Sequence, residues 1–253
     1  MRYVIAITLL LLLLSSWQGP ETQVEEVVNV EEAASEGMSL ADARWMAWEL
    51  EFQEGLGRVL ARMLELPDQE ALEIVKVAYQ ESNSQGVDIF RTLGFIVAES
   101  HGRKEAISHA GARGLMQIMP GTGRFIAAAH SEPWEGTGSL YEIDLNVRYG
   151  VWYYSDLLEI FEGDENAAIA AYNWGPDHIA FRIRKGQDLP KVYPRKVLEA
   201  EERVREEFCN ENRDLIWRSY SRAERILSDR RDASERADSA DNERLHGSLS
   251  PSS

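Results

Sequence analysis

Glu99 is the residue of this chain best placed for acid–base chemistry. It closes an apolar run in which Ile89, Phe90, Leu93, Ile96 and Val97 recur at i, i+1, i+4, i+7 and i+8, the spacing of a helix with one buried face. Glu99 follows Phe95 by four residues and Ile96 by three, which puts it beside that face and in the last turn. A carboxylate there is partly desolvated and meets the negative end of the helix dipole. Both effects raise its pKa, and each unit of increase favours the protonated form by about 1.4 kcal/mol. A carboxylic acid held neutral near pH 7 is suited to general-acid cleavage of a glycosidic bond. Alone, a Glu followed by Ser-His-Gly fits a solvated helix end stopped by Gly102 better than it fits an acid. The neighbouring residues decide between the two.

Those neighbours are unusual. Gly111, Gly114, Gly121 and Gly123 let the backbone turn tightly and approach a ligand closely. Met116, Gln117, Ile118 and Met119 set a polar amide among soft apolar side chains. Methionine there serves as core filler in at least one case. Gln117 is harder to explain by packing, because a buried amide requires partners, which a polyhydroxylated, N-acetylated sugar would supply.

Three separated motifs carry a family resemblance: Glu99-Ser100; the segment from Ser108 to Pro120, SHAGARGLMQIMP; and Ala171-Tyr172-Asn173-Trp174-Gly175. In order and spacing they resemble the catalytic domain of lytic transglycosylases of the soluble, goose-lysozyme-like type, over residues 70 to 200. The resemblance implies an all-α, lysozyme-like domain with a single substrate cleft, acting on peptidoglycan glycan strands. It implies Glu99 as acid and then base, with Ser108 and Tyr172 hydrogen-bonding near it. Gln117, Met119 and Asn173 would line the sugar subsites. One departure stands out. The family often carries a Glu-Thr pair shortly before a Tyr, whereas here Leu189 and Pro190 precede Tyr193 and the nearest carboxylate is Asp188. A single carboxylate points away from two-acid glycosidases, which need both. A goose-type hydrolase on the same fold and a peptidoglycan-binding scaffold that no longer cleaves are the alternatives.

The elements that must position these residues read as helices throughout. Residues 39–66 form an accessory helix with Trp45, Trp48, Leu56, Val59 and Leu60 in its apolar set and Ser39 as N-cap. A helix at 69–82 leads into the one that ends at Glu99. Pro120 opens another, and the Gly-rich stretch 131–140 is a loop in which Trp134 either stacks on a sugar or pins the loop. A long helix runs from Asp144 through Phe161, with Asn146 a structural cap near its start. The Ala-rich helix 165–172 delivers Tyr172, whose hydroxyl the resemblance pairs with Glu99. The catalytic domain is expected over 67–200, followed by a helical extension at 201–227 and a disordered tail at 228–253.

Upstream, Met1-Arg2 and the apolar run Tyr3–Leu14 fit a signal peptide within 1–19, with an uncleaved membrane anchor as the alternative. An acidic linker spans 20–38. Export to the periplasm follows from that reading. A net charge of -16 argues against nucleic acid, whose binders carry a basic stripe. The lone Cys209 cannot form an intramolecular disulfide, and the scattered histidines, His101 and His109 included, lack ligand spacing, so no metal or other cofactor is expected. The long flanking helices leave room for a protein partner of unidentified kind.

Overall fold

The computed structural model describes residues 40–218. The apolar N-terminal run, the acidic linker, the Ser39 cap and the tail beyond residue 218 lie outside the described residues. Within them the secondary structure is helical, joined by turns, one 3₁₀ turn and isolated β-bridges, with no extended strand. The all-α expectation holds. The helices are α1 (Leu40–Leu64), α2 (Asp68–Gln85), α3 (Ile89–Ser100), α4 (Pro120–Ala129), α5 (Ile143–Ile160), α6 (Glu165–Trp174), α7 (Pro176–Arg184) and α8 (Val192–Glu211). None of them is long and apolar enough to cross a membrane.

The chain divides into two compact units, one of Glu49–Glu211 and one made of the remaining residues at both ends. The described part of the second includes a Trp45–Trp48 ring pair with centroids 5.1 Å apart. The boundary of the larger unit falls inside α1. Leu56, Val59 and Leu60 are fully buried, so most of the helix expected as an accessory belongs to the same unit as Glu99. The same holds at the other end. Val204 and Phe208, expected in an extension, are buried, and Phe208 meets Phe52 and Phe90 at 5.1 and 5.9 Å. Two aromatic side chains removed from water against the half-buried Phe52 stabilise the unit by several kcal/mol before chain entropy is counted.

Helix α3 is the central element. Its N-cap Asp88 accepts from the Phe90 amide at 2.9 Å, and almost every residue from Phe90 to Ser100 is buried. Glycine at position 94 makes its main packing possible. A Cβ there would lie 2.9 Å from the Glu201 Cβ and 3.0 Å from the Val197 carbonyl oxygen, so α8 crosses α3 at a distance only glycine permits. One turn earlier on the same face, the buried guanidinium of Arg91 joins four elements. It donates to Glu201 on α8, to Glu165 on α6 at 3.1 Å and to the Tyr154 hydroxyl on α5 at 2.7 Å. Burial alone would lower the pKa of Arg91, but these partners outweigh it and hold the group charged. Burial pushes Tyr154 up to about 12.

Candidate active site

Helix α3 ends where the chemistry was expected. His101 is the C-cap, in the left-handed region at φ 54°, with its amide on the Val97 carbonyl. The helix therefore stops one residue before Gly102. Glu99 in the last turn has its pKa raised, first by burial, against the opposing effects of the Tyr193 hydroxyl, which donates to Oε1, and of the Lys196 ammonium. Lys196 also donates to the Ala98 carbonyl. Tyr193 and Lys196 sit one turn apart on α8, brought there by the close approach at Gly94.

The hydroxyl expected on Glu99 is elsewhere. Tyr172 donates to the Met116 carbonyl at 2.9 Å, while its ring packs on Phe95 at 4.6 Å and on Tyr153 at 5.3 Å. Burial pushes its phenol well above the ordinary range, and the Glu99 charge adds to this. Tyr172 thus shares the Glu99 neighbourhood but spends its proton on the glycine-rich segment. Tyr193 takes the expected place on the carboxyl, and its own phenol is pushed well up by burial and by Glu99.

The segment 106–118 is folded on itself. The Gly114 amide reaches the Ala106 carbonyl at 3.0 Å, and Arg113 and Ile118 exchange backbone bonds at 3.0 Å each. Ser108 belongs to this knot. Its hydroxyl accepts from the Ala112 amide at 3.0 Å, closing a turn. Gln117, at φ 51°, turns its amide nitrogen onto the Ala106 and Gly114 carbonyls at 3.1 and 2.9 Å. The partners its amide required are backbone groups of its own loop. Gly114 is needed on two counts. It has φ 79°, and a Cβ would fall 2.2 Å from both the Asn146 amide nitrogen and the Leu140 carbonyl.

Asn146 matters more than a helix cap would. It is almost fully buried; its Oδ1 accepts from the Met116 amide at 2.7 Å, and its Nδ2 donates to the Arg113 and Leu140 carbonyls at 2.9 and 2.7 Å. Together with Tyr172 it holds the Met116 backbone from both sides. Gly150, one turn further along α5, leaves room for the Met116 side chain, whose Sδ lies 2.2 Å from where a Cβ would stand. Met119 is 40 % exposed at the N-cap of α4. Asn173 is exposed at the end of α6. Trp134 packs across Gly123, which favours its pinning role. Asp188 offers its backbone carbonyl to Arg182 at 2.8 Å. The groups that shift Glu99 are a hydroxyl and an ammonium, and no carboxylate is among them.

In this all-α domain the desolvated carboxyl of Glu99 lies in the neighbourhood of Tyr172, which is bonded to the glycine-rich loop. The family model described as the transglycosylase SLT domain matches residues 76–192, which takes in α3, the loop and α6 and ends one residue before Tyr193. Over this segment the chain is similar to the SLT transglycosylase family. The soluble lytic murein transglycosylase of Salmonella typhimurium is 35% identical over 99 residues, covering 38% of this chain and 15% of that protein. A putative soluble lytic murein transglycosylase of Haemophilus influenzae is 29% identical over 103 residues, covering 40% and 17%. Among solved structures, an inactive mutant of the lytic transglycosylase Slt from Pseudomonas aeruginosa aligns at 26% identity with a TM-score of 0.44, over 55% of this chain and 24% of that one. The chain thus spans less than a fifth of the curated relatives it matches.

Proposed function

We propose that this chain is a peptidoglycan lytic transglycosylase that cleaves the β-1,4 bond from N-acetylmuramic acid to N-acetylglucosamine and leaves a 1,6-anhydromuramic end. The observation that carries the reading is Glu99, a buried carboxyl with raised pKa whose charged and hydrogen-bonding neighbours are Tyr193 and Lys196 rather than a second acid. The protonated carboxyl gives its proton to the bridging oxygen as the C1–O bond breaks. The carboxylate so formed takes the proton of the muramyl 6-hydroxyl, whose oxygen closes on C1. No water is consumed, and the carboxyl returns to its starting state. The muramyl N-acetyl group takes the place of the missing carboxylate in stabilising the positive centre.

Tyr193 orients the carboxyl and eases its ionisation, as a hydroxyl donating to the charged form does. Met119 and Asn173, being exposed, are the candidates for sugar contact. Ser108, Gln117 and Tyr172 act through the backbone of the loop they hold. The exported, periplasmic location belongs to the same proposal, since that is where this substrate lies.

Digestion in ¹⁸O-labelled water tests the reaction type. Released ends free of label support intramolecular closure. One ¹⁸O per new reducing end would make the chain a hydrolase on the same fold, and binding without release would make it a scaffold.

A further inference from the structure

Two of the last carbonyls of α3 are satisfied from within its own segment, and a third is reached by another helix. The Ile96 carbonyl accepts from the Ser100 hydroxyl at 3.2 Å, and the Val97 carbonyl from the His101 amide at 3.3 Å. The Ala98 carbonyl, next to the acid, accepts from the Lys196 ammonium. The last turn of α3 holds no basic residue of its own, so the cation that favours a helix C-terminus comes from α8. Tyr193, one turn before Lys196, donates to Glu99 Oε1. One helix therefore holds both the main chain beside Glu99 and its carboxyl. The approach is fixed by Gly94, where a Cβ would lie 3.0 Å from the carbonyl oxygen of Val197, the residue after Lys196. On the other side of the acid stand phenols, Tyr172 of α6 with Tyr153 of α5 packed on it at 5.3 Å. Of the groups acting on Glu99, Lys196 alone carries a full charge.

We propose that Lys196 is a positioning residue for Glu99: its ammonium caps the last turn of α3 from outside that helix and stabilises the ionised carboxyl that stands between the two proton transfers. This rests on the reading of Glu99 as acid and then base. The lysine gives up no proton and forms no bond to substrate. When the Glu99 proton passes to the bridging oxygen, the carboxyl becomes negative where burial disfavours charge. An ammonium already held at the adjoining peptide offsets that penalty without rearrangement. The proton of the 6-hydroxyl then restores the neutral carboxyl, and the contribution of the lysine ends with the charge.

Lys196→Met keeps the alkyl stem and removes the charge. At a pH where Glu99 is protonated, its kcat should fall about tenfold, the contribution of one charge-assisted hydrogen bond, with KM unchanged. The alkaline limb of its pH–rate profile moves to higher pH, and its separation from wild type narrows as salt rises. Lys196→Arg holds the limb in place. In a Glu99→Gln background, Lys196→Met leaves binding to intact glycan unchanged. The Glu99 carboxyl carbon, followed by ¹³C NMR in full-length protein labelled at glutamate, titrates at higher pH in Lys196→Met whether or not the protein cleaves. An unmoved titration, an equal shift in Lys196→Arg, a raised KM at constant kcat, or weaker glycan binding in the Glu99→Gln background would overturn the inference. A moved titration in a protein whose wild type cleaves no peptidoglycan would leave the positioning by Lys196 standing and remove the catalytic reading instead.

Discussion

At Glu99 the balance of forces is legible in the structure. Burial disfavours the charged carboxylate, while the Tyr193 hydroxyl and Lys196 ammonium favour it, and burial wins. A general acid works while protonated, so turnover should fall as pH rises through a pKa above the ordinary carboxyl range. Tyr193→Phe removes an influence that lowers this pKa. Its alkaline limb should therefore move to higher pH, and a pH–rate profile would show no movement if the tyrosine were merely packing. A second consequence concerns stability. The folded-state pKa is raised, so the stability Glu99 contributes is fully present below its unfolded pKa and is lost as pH rises through the folded value. Glu99→Gln should thus melt above wild type at neutral pH and converge with it in acid; parallel melting curves across pH would contradict this. The carboxyl and its raised pKa were readable from apolar spacing and position in the helix. Which tyrosine would reach it was not. Tyr172 and Tyr193 lie on different helices, and only the packing of those helices decides that one bonds Met116 and the other Glu99.

At the scale of elements, the glycine-rich loop is positioned by α5 as much as by its own turns. Asn146→Ala removes three hydrogen bonds and takes their side-chain partner from the Met116 amide and the Leu140 carbonyl in the interior, while the Arg113 carbonyl keeps the Ile118 amide. A cost of about 2–4 kcal/mol is expected, measurable by urea denaturation, with activity reduced because the loop loses its clamp. A near-wild-type midpoint would refute the clamp. At the α3–α8 crossing, Gly94→Ala places a methyl against Glu201 and Val197. It should cost about 1–3 kcal/mol and lower turnover by shifting the helix that carries Tyr193 and Lys196. Helix periodicity revealed α3, α5 and the Pro120 start of α4, because a buried face leaves a trace at every turn. It did not reveal α7, whose Phe181 and Ile183 are exposed, nor the need for glycine at 94 and 150. A close approach is a property of two elements, and one stretch of sequence carries only half of it.

Over the whole molecule, Arg91 ties α3, α5, α6 and α8 to one point. Arg91→Met should destabilise the fold by about 1–3 kcal/mol, because the largely buried Glu201 would lose one of its two cationic partners and keep only Arg205. A smaller loss in a calorimetric melt would mean that the cluster contributes little. The fold class and the segment that the family model matches were legible because three motifs stand in order. The extent of the compact unit was not, since the inward faces of α1 and the end of α8 read as amphipathic helices whatever they pack against. Mass spectrometry of purified peptidoglycan digested with the protein, with Glu99→Gln as control, tests the central claim most directly. Muropeptides one water lighter than hydrolysed ends, reduced about 10²- to 10⁴-fold in the control, are the predicted result. Fully hydrated ends, or anhydro products undiminished in the control, would contradict the account.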